Sequence, residues 1–206
     1  MKYGDLNLGQ IEAVVNKLGG MDGVNKFLRG ELIVSELTRS WREENGVIYF
    51  SVTSDGTTGE EWIVRLESKG FRVGDYVKRV LRSKDFKPTN GIIYEIAVLK
   101  GELFSYSNRI TKTIRKEAKN RKLSTPNAEV ACLIREKFSD KELEAMGLYW
   151  IVAMHKPIKD SDGGPALLGV DRYSGGSWLS TYYDNPGSKC SRDNGFAFVV
   201  SQVFRS

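Results

Sequence analysis

Two apolar runs, 92–99 (IIYEIAVL) and 148–154 (LYWIVAM), constrain this chain more than any other feature. Both are rich in β-branched and aromatic residues and read as strands. Turn formers bound them: Asn90-Gly91 and Lys100-Gly101 around the first, Gly147 before the second. Between the runs the period changes to helical. One helix is expected through Ile114. A second is expected from Thr125, with Pro126 at its first position and Val130, Leu133, Ile134 and Phe138 as its buried stripe. Ser139 with Glu142 then makes a capping box ahead of Leu143 and Met146. Short strands and polar loops fill the remainder to Val203. Strand, helices, strand and a loop-rich antiparallel finish predict an α+β fold.

The part before residue 92 is more fragmented. Ile11, Val14, Val15 and Leu18 recur at helical spacing, and Gly19-Gly20 ends that run. Asp22 is placed to cap a second short helix carrying Val24, Phe27 and Leu28, closed by Gly30. Residues 32–34 and 47–52 have strand character, the latter opened by an Asn45-Gly46 turn. These residues, 1–54, are expected to form a small N-terminal unit ahead of a main domain at 55–206. Within the latter, Thr58 and Glu61 form a capping box before Trp62, Ile63 and Leu66, and Asp75 starts a helix with Val77, Val80 and Leu81 on one stripe.

At 206 residues, with 40% hydrophobic and 28% charged content, the chain has enough apolar material for one ordinary domain and a small appendage. No run approaches the roughly 18 apolar residues of a membrane span. The N-terminus lacks an apolar signal core, so a cytoplasmic or virion-associated location is expected. Net charge is +5, and its densest cationic stretch is 109–122 (RITKTIRKEAKNRK). Here Lys112, Arg115, Lys116 and Lys119 are expected to face solvent opposite Ile110 and Ile114.

Catalytic and metal signatures are sparse. His155 is the one histidine, so any Ser-His-Asp or Cys-His pair would have to use it, and its place at the end of an apolar strand beside Lys156 and Pro157 fits a structural or surface role. Cys132 lies on an apolar helix stripe and is expected in the core, with Cys190 the more exposed thiol. Asp160-Ser161-Asp162-Gly163 alternates carboxylates as calcium loops do, but lacks the rest of a twelve-residue ligand set. Gly163-Gly164 and Gly175-Gly176 are not followed by the lysine or helix start of a phosphate loop. No cofactor and no metal are expected.

The window 171–191 (DRYSGGSWLSTYYDNPGSKCS) differs from all of this. Of its 21 residues, 11 are Tyr, Ser or Gly, the palette of recognition loops. Tyrosine gives rigid amphipathic contact area, while serine and glycine give adaptable hydrogen bonding. With the run NGFAFVVSQ at 194–202, this window resembles the variable region of a diversity-generating retroelement target protein. The fold of that family resembles the C-type lectin domain. In it, adenines of a template copy are randomised, so that Asn codons scatter into polar and aromatic residues beside an unvaried NGF-aromatic strand.

The resemblance implies varied, ligand-binding positions at Asp171, Tyr173, Ser174, Ser177, Ser180, Thr181, Tyr182, Tyr183, Gly187, Ser188, Cys190 and Ser191. Each of these residues is reachable from an Asn codon by changing adenines alone. It implies fixed anchors at Trp178, Leu179 and Pro186, and a variable region spanning 171–194 on a C-type-lectin-like domain. The implied function is non-enzymatic recognition of a ligand, expected to be a protein surface. Phe196 and Phe198 alternate with Ala197 and are expected in the core. The turn formers after Tyr182 and Tyr183 place that pair at a loop edge. The N-terminal phrase GQIEAVVNKLGGMDGVNKFLRGEL also resembles a short module that opens many uncharacterised bacterial proteins, which implies no activity. The alternative from a different class is a basic nucleic-acid-binding protein using helices at 60–82 and 109–122.

Overall fold

The computed structural model describes residues 7–33, 39–159, 162–173 and 175–200. It divides into two compact units, Met1–Arg39 and Ser40–Ser206. In the first unit, α1 (Leu8–Lys17) opens on a reciprocal capping box between Asn7 and Gln10. Helix α2 (Gly20–Leu28) follows across Gly19 and Gly20, whose φ values of 90° and 80° favour glycine. The expected stop at this glycine pair is therefore a joint, and the second helix starts before Asp22. Ile11 and Val14 are half exposed, so the periodic stripe of α1 is not a buried one. Leu32 and Ile33 are not in a strand, and Val34 lies outside the described residues.

The second unit begins with a hairpin of β1 (Arg42–Glu44) and β2 (Val47–Asp55). Its two-residue loop is Asn45-Gly46, both at positive φ, as a tight hairpin turn demands. Helix α3 (Gly59–Ser68) starts on the Thr58/Glu61 capping box. Then come β3 (Arg72–Val73), α4 (Asp75–Leu81), and the long β4 (Asn90–Lys100). Helix α5 (Thr111–Asn120), β5 (Leu123–Ser124), α6 (Glu129–Lys137) and α7 (Asp140–Ala145) fill the middle, α7 on the Ser139/Glu142 capping box. The finish is β6 (Trp150–Ala153), β7 (Ile158–Lys159), β8 (Pro165–Asp171), β9 (Trp178–Tyr183) and β10 (Asn194–Val200).

All ten described strands join one sheet, in the order β1-β2-β4-β10-β6-β8-β9-β3, with β5 on β10 and β7 on β8. Most pairings are antiparallel, but β10 runs parallel to β6, and β3 parallel to β9. The fold is mixed α+β. The boundary between units lies at Arg39 rather than after Ser54, because β2 is laddered to β4 along nearly its whole length and cannot be separated from the sheet.

The sheet is covered on both faces. On one, Trp62, Leu66, Val77, Ile134 and Leu143 from the helices pack on Ile48, Ile96, Val98, Ala197 and Leu179. On the other, Ile114 and Ala118 of α5 pack on Val47, Leu99, Phe196 and Phe198. The two phenylalanines therefore lie in the core as their alternation requires, 0% and 2% exposed. Gly195 faces the opposite way, and a Cβ there would come within 2.5 Å of a Val98 methyl. Only glycine allows β10 to sit this close.

One helix start differs from expectation. Helix α6 begins at Glu129, without a side-chain cap, and not at Thr125. The Glu129 carboxylate turns inward and accepts bonds from the Thr89 N–H at 2.8 Å, the Thr89 hydroxyl and the Tyr94 hydroxyl at 3.0 Å.

Candidate functional site: an aromatic pocket at the β8–β9 end

Asp171 closes β8 and sits directly between Trp150 of β6 and Trp178 of β9 in the ladder. Opposed residues in a sheet share a face, so these three side chains are neighbours. One step along, Gly169 pairs with Ser180. A Cβ at Gly169 would meet the Trp150 indole at 2.5 Å, so the ring lies over this glycine. Trp150 then reaches Tyr182, edge to face, with ring centroids 5.4 Å apart. Tyr149, Tyr173 and Tyr76 of α4 complete a cavity of about 400 Å³, which Thr181 also lines.

The cavity carries little compensated polarity. The indole N–H groups of Trp150 and Trp178 are buried without an acceptor among the described residues. Asp171 is 5% exposed, and burial pushes its carboxyl up, against the hydrogen bonds from Ser180 and from the Tyr173 N–H at 3.2 Å. Behind it lies Arg135, fully buried in α6, which donates to Asp140 at 3.0 Å and to the Asp171 carbonyl at 3.4 Å. Ser177 donates to the other Asp140 oxygen at 2.8 Å. The pocket floor is thus tied to the helices beneath it.

The twelve positions expected to bind do not form one surface. Asp171, Tyr173, Ser180 and Thr181 line the cavity. Ser177 is tied to α7, and Ser174 lies outside the described residues. Gly187, Ser188 and Ser191 are exposed on a separate loop beside the start of α5, where the Thr111 hydroxyl donates to the Asn185 carbonyl at 3.2 Å. Tyr173 and Tyr183 are 63% and 60% exposed.

Three expectations need adjustment here. Tyr182 and Tyr183 are both in the β9 ladder, paired with Leu167 and Ala166, so their rings point to opposite faces; Tyr183 closes the strand at the loop edge, and Tyr182 lies one step inside it. Tyr182 is half-buried against the second core. Cys190 is the more exposed of the two thiols, but it is buried and not part of a binding surface. It is 6% exposed, its N–H donates to the Arg109 carbonyl at 2.8 Å, and burial pushes its thiol up. Asp171 is likewise floor rather than surface, since strands on both sides enclose it.

Tyr76, Tyr149 and Trp150 escaped the sequence reading. The adjacent aromatics Tyr149-Trp150 at the head of an apolar strand were the available signal, but only the β6–β8 pairing shows what they face. His155 is structural as expected: Nε2 accepts from the Leu168 N–H at 2.8 Å and Nδ1 donates to the Lys156 carbonyl at 2.7 Å. Burial lowers its pKa to about 4. Arg115 is not solvent-facing. It turns inward to the Met154 and His155 carbonyls and to Asp184 at 2.9 Å.

Among the described residues, no group of three His, Cys, Asp or Glu side chains could hold a metal, and no helix is long and apolar enough to cross a membrane. Asp160 and Ser161 of the calcium-like loop lie outside the described residues. Comparisons with protein-family models, curated proteins and solved structures find no match for this chain.

Proposed function

We propose that this protein is a non-enzymatic recognition protein that takes its ligand in the pocket formed by β8, β9 and α4. The observation that carries this reading is the pocket lining: Asp171, Tyr173, Trp178, Ser180 and Thr181, all from the one Tyr/Ser/Gly-rich window, around a single cavity. Large concave sites lined by aromatics and a few polar groups are the default binding sites of proteins. The floor is held by the Arg135–Asp140 pair and the sheet, so side chains at the rim can change while the backbone stays in place.

That division of labour is what a diversified region on a C-type-lectin-like scaffold requires, and we extend the proposal to that family. The fully buried Phe196 and the Gly195 close approach give β10 the character of the unvaried strand beside the varied window. The neighbouring DNA tests it. A reverse-transcriptase gene and a near-copy of the segment coding for 171–194, differing only at adenines of that copy, are expected. Mismatches spread over all four bases would sink the diversification claim.

The nucleic-acid reading has less behind it. Arg65 and Lys69 pair with Glu136, Lys78 with Glu67, and Arg82 with Glu60. Arg115 is consumed inside the fold, which leaves Lys112, Lys116 and Lys119 as the exposed cations of α5. A steep loss of DNA affinity with salt, from a useful starting value, would revive it.

A further inference from the structure

The chemistry of the pocket narrows what it takes. Tyr76, Tyr149, Trp150, Tyr173 and Trp178 bring five aromatic rings to one cavity, and its charged lining residues are two carboxylates, Asp75 and Asp171. Among the described residues, no lysine or arginine lines it. Ring faces are electron-rich and attract cations, more strongly where water is excluded. An anion entering here would meet two carboxylates and the negative ring faces together. A neutral apolar group would meet the rings but gain nothing from either carboxylate.

Three arginines lie against these rings from outside the lining. Arg72 is 5.3 Å from the Trp178 centroid, Arg79 is 5.4 Å from Tyr76, and Arg172 is 5.9 Å from Tyr149. Arg172 is in turn paired with Glu144 at 3.4 Å. The rings of this site thus already hold guanidinium groups. The exposed Arg72 and Arg79 add positive potential that salt screens. The carboxylates belong to the cavity itself.

We propose that the pocket binds an organic cation, an alkylammonium or guanidinium group, between its aromatic rings with Asp171 and Asp75 as counter-charges. This rests on the recognition reading above and gives it a ligand class. The cation is either a free small molecule or a lysine or arginine side chain on a partner protein.

The test is titration of the full chain, followed by tryptophan fluorescence, with tetramethylammonium chloride and acetyl-arginine amide. Neopentyl alcohol and acetyl-citrulline amide serve as neutral matches, all at constant ionic strength. Saturable binding of the cations is expected, at least about 10-fold tighter than of their neutral matches, in line with a desolvated cation–ring contact. Tyr173→Ala and Asp75→Asn, both at exposed positions, should each weaken it severalfold. Tyr183→Ala, exposed but outside the lining, should leave it unchanged. A basic tripeptide that binds more tightly than acetyl-arginine amide assigns the source to a protein partner, whereas equal affinity assigns it to a free cation. Equal affinity for charged and neutral probes, or no saturation by any cation with the chain folded, overturns the proposal. If the neighbouring DNA carries the adenine-templated copy and no cation binds, only the ligand class fails.

Discussion

The Tyr182 hydroxyl lies 3.0 Å from the Cys190 sulfur, while its ring packs edge to face with Trp150. This contact joins the end of β9 to the far end of the window and closes the second core at its margin. Burial raises both the phenol and the thiol, so neither group ionises at neutral pH. A thiol-specific reagent at pH 8 should therefore label Cys190 and Cys132 slowly in the folded protein and rapidly in denaturant. Fast labelling of Cys190 under native conditions would show that this margin opens.

The same contact sets the limits of substitution in the window. Tyr173→Asn, Tyr183→Asn and Ser188→Asn, at exposed positions, should each shift stability by no more than about 0.5 kcal/mol. Tyr182→Ala removes a half-buried ring and should cost about 2 kcal/mol, below the 3–5 kcal/mol typical of a fully buried aromatic. Thermal unfolding of the four variants tests the ranking. If Tyr182→Ala proves as harmless as Tyr173→Asn, its packing against Trp150 contributes nothing.

Arg135 offers a sharper test. It is fully buried, donates to Asp140 and the Phe138 carbonyl, and lies 4.7 Å from the Phe71 ring centroid. Burial lowers its pKa, while the Asp140 charge opposes that shift. Asp140→Ala leaves this charge unpaired and should cost about 3 kcal/mol or more, whereas Arg135→Met combined with Asp140→Ala should cost less. Urea denaturation of single and double variants decides it. A double variant worse than Asp140→Ala alone would mean that the arginine is held by packing rather than by its partner.

His155 predicts a pH dependence. Its folded pKa is about 4 against an ordinary value of 6.5, so the unfolded chain binds the extra proton first. Stability from this group is complete above about pH 6.5 and is lost as pH falls toward 4, by about 2 kcal/mol between pH 7 and 5. His155→Gln should flatten that slope. An unchanged slope between pH 7 and 5 in the variant would assign the titration elsewhere.

What the sequence disclosed was local. The Thr58/Glu61 and Ser139/Glu142 boxes and the Asn45-Gly46 turn depend on neighbours within four residues, and each is where the pattern placed it. Phe196 and Phe198 followed from simple alternation. Asp171 reads as a polar loop residue because nothing near it in sequence signals Trp150, which the β6–β8 pairing brings alongside. Tyr76 joins the pocket from α4, far away in the chain, and its own helix gives no hint of that meeting. The burial of Cys190 was hidden for the same reason: its serine-rich surroundings give no sign of the apolar cluster it joins.

The position of β10 bears on how the chain acquires its structure. It is the last described strand in sequence, yet it alone connects β1-β2-β4 with β6-β8-β9-β3. Until residues 194–200 have left the ribosome, the two halves of the sheet share no ladder, and the edges of β4 and β6 stand open. Such distant pairings form slowly, and open apolar edges invite association with other chains in the interval. A ribosome-stalled chain lacking this strand would be a natural client for a chaperone.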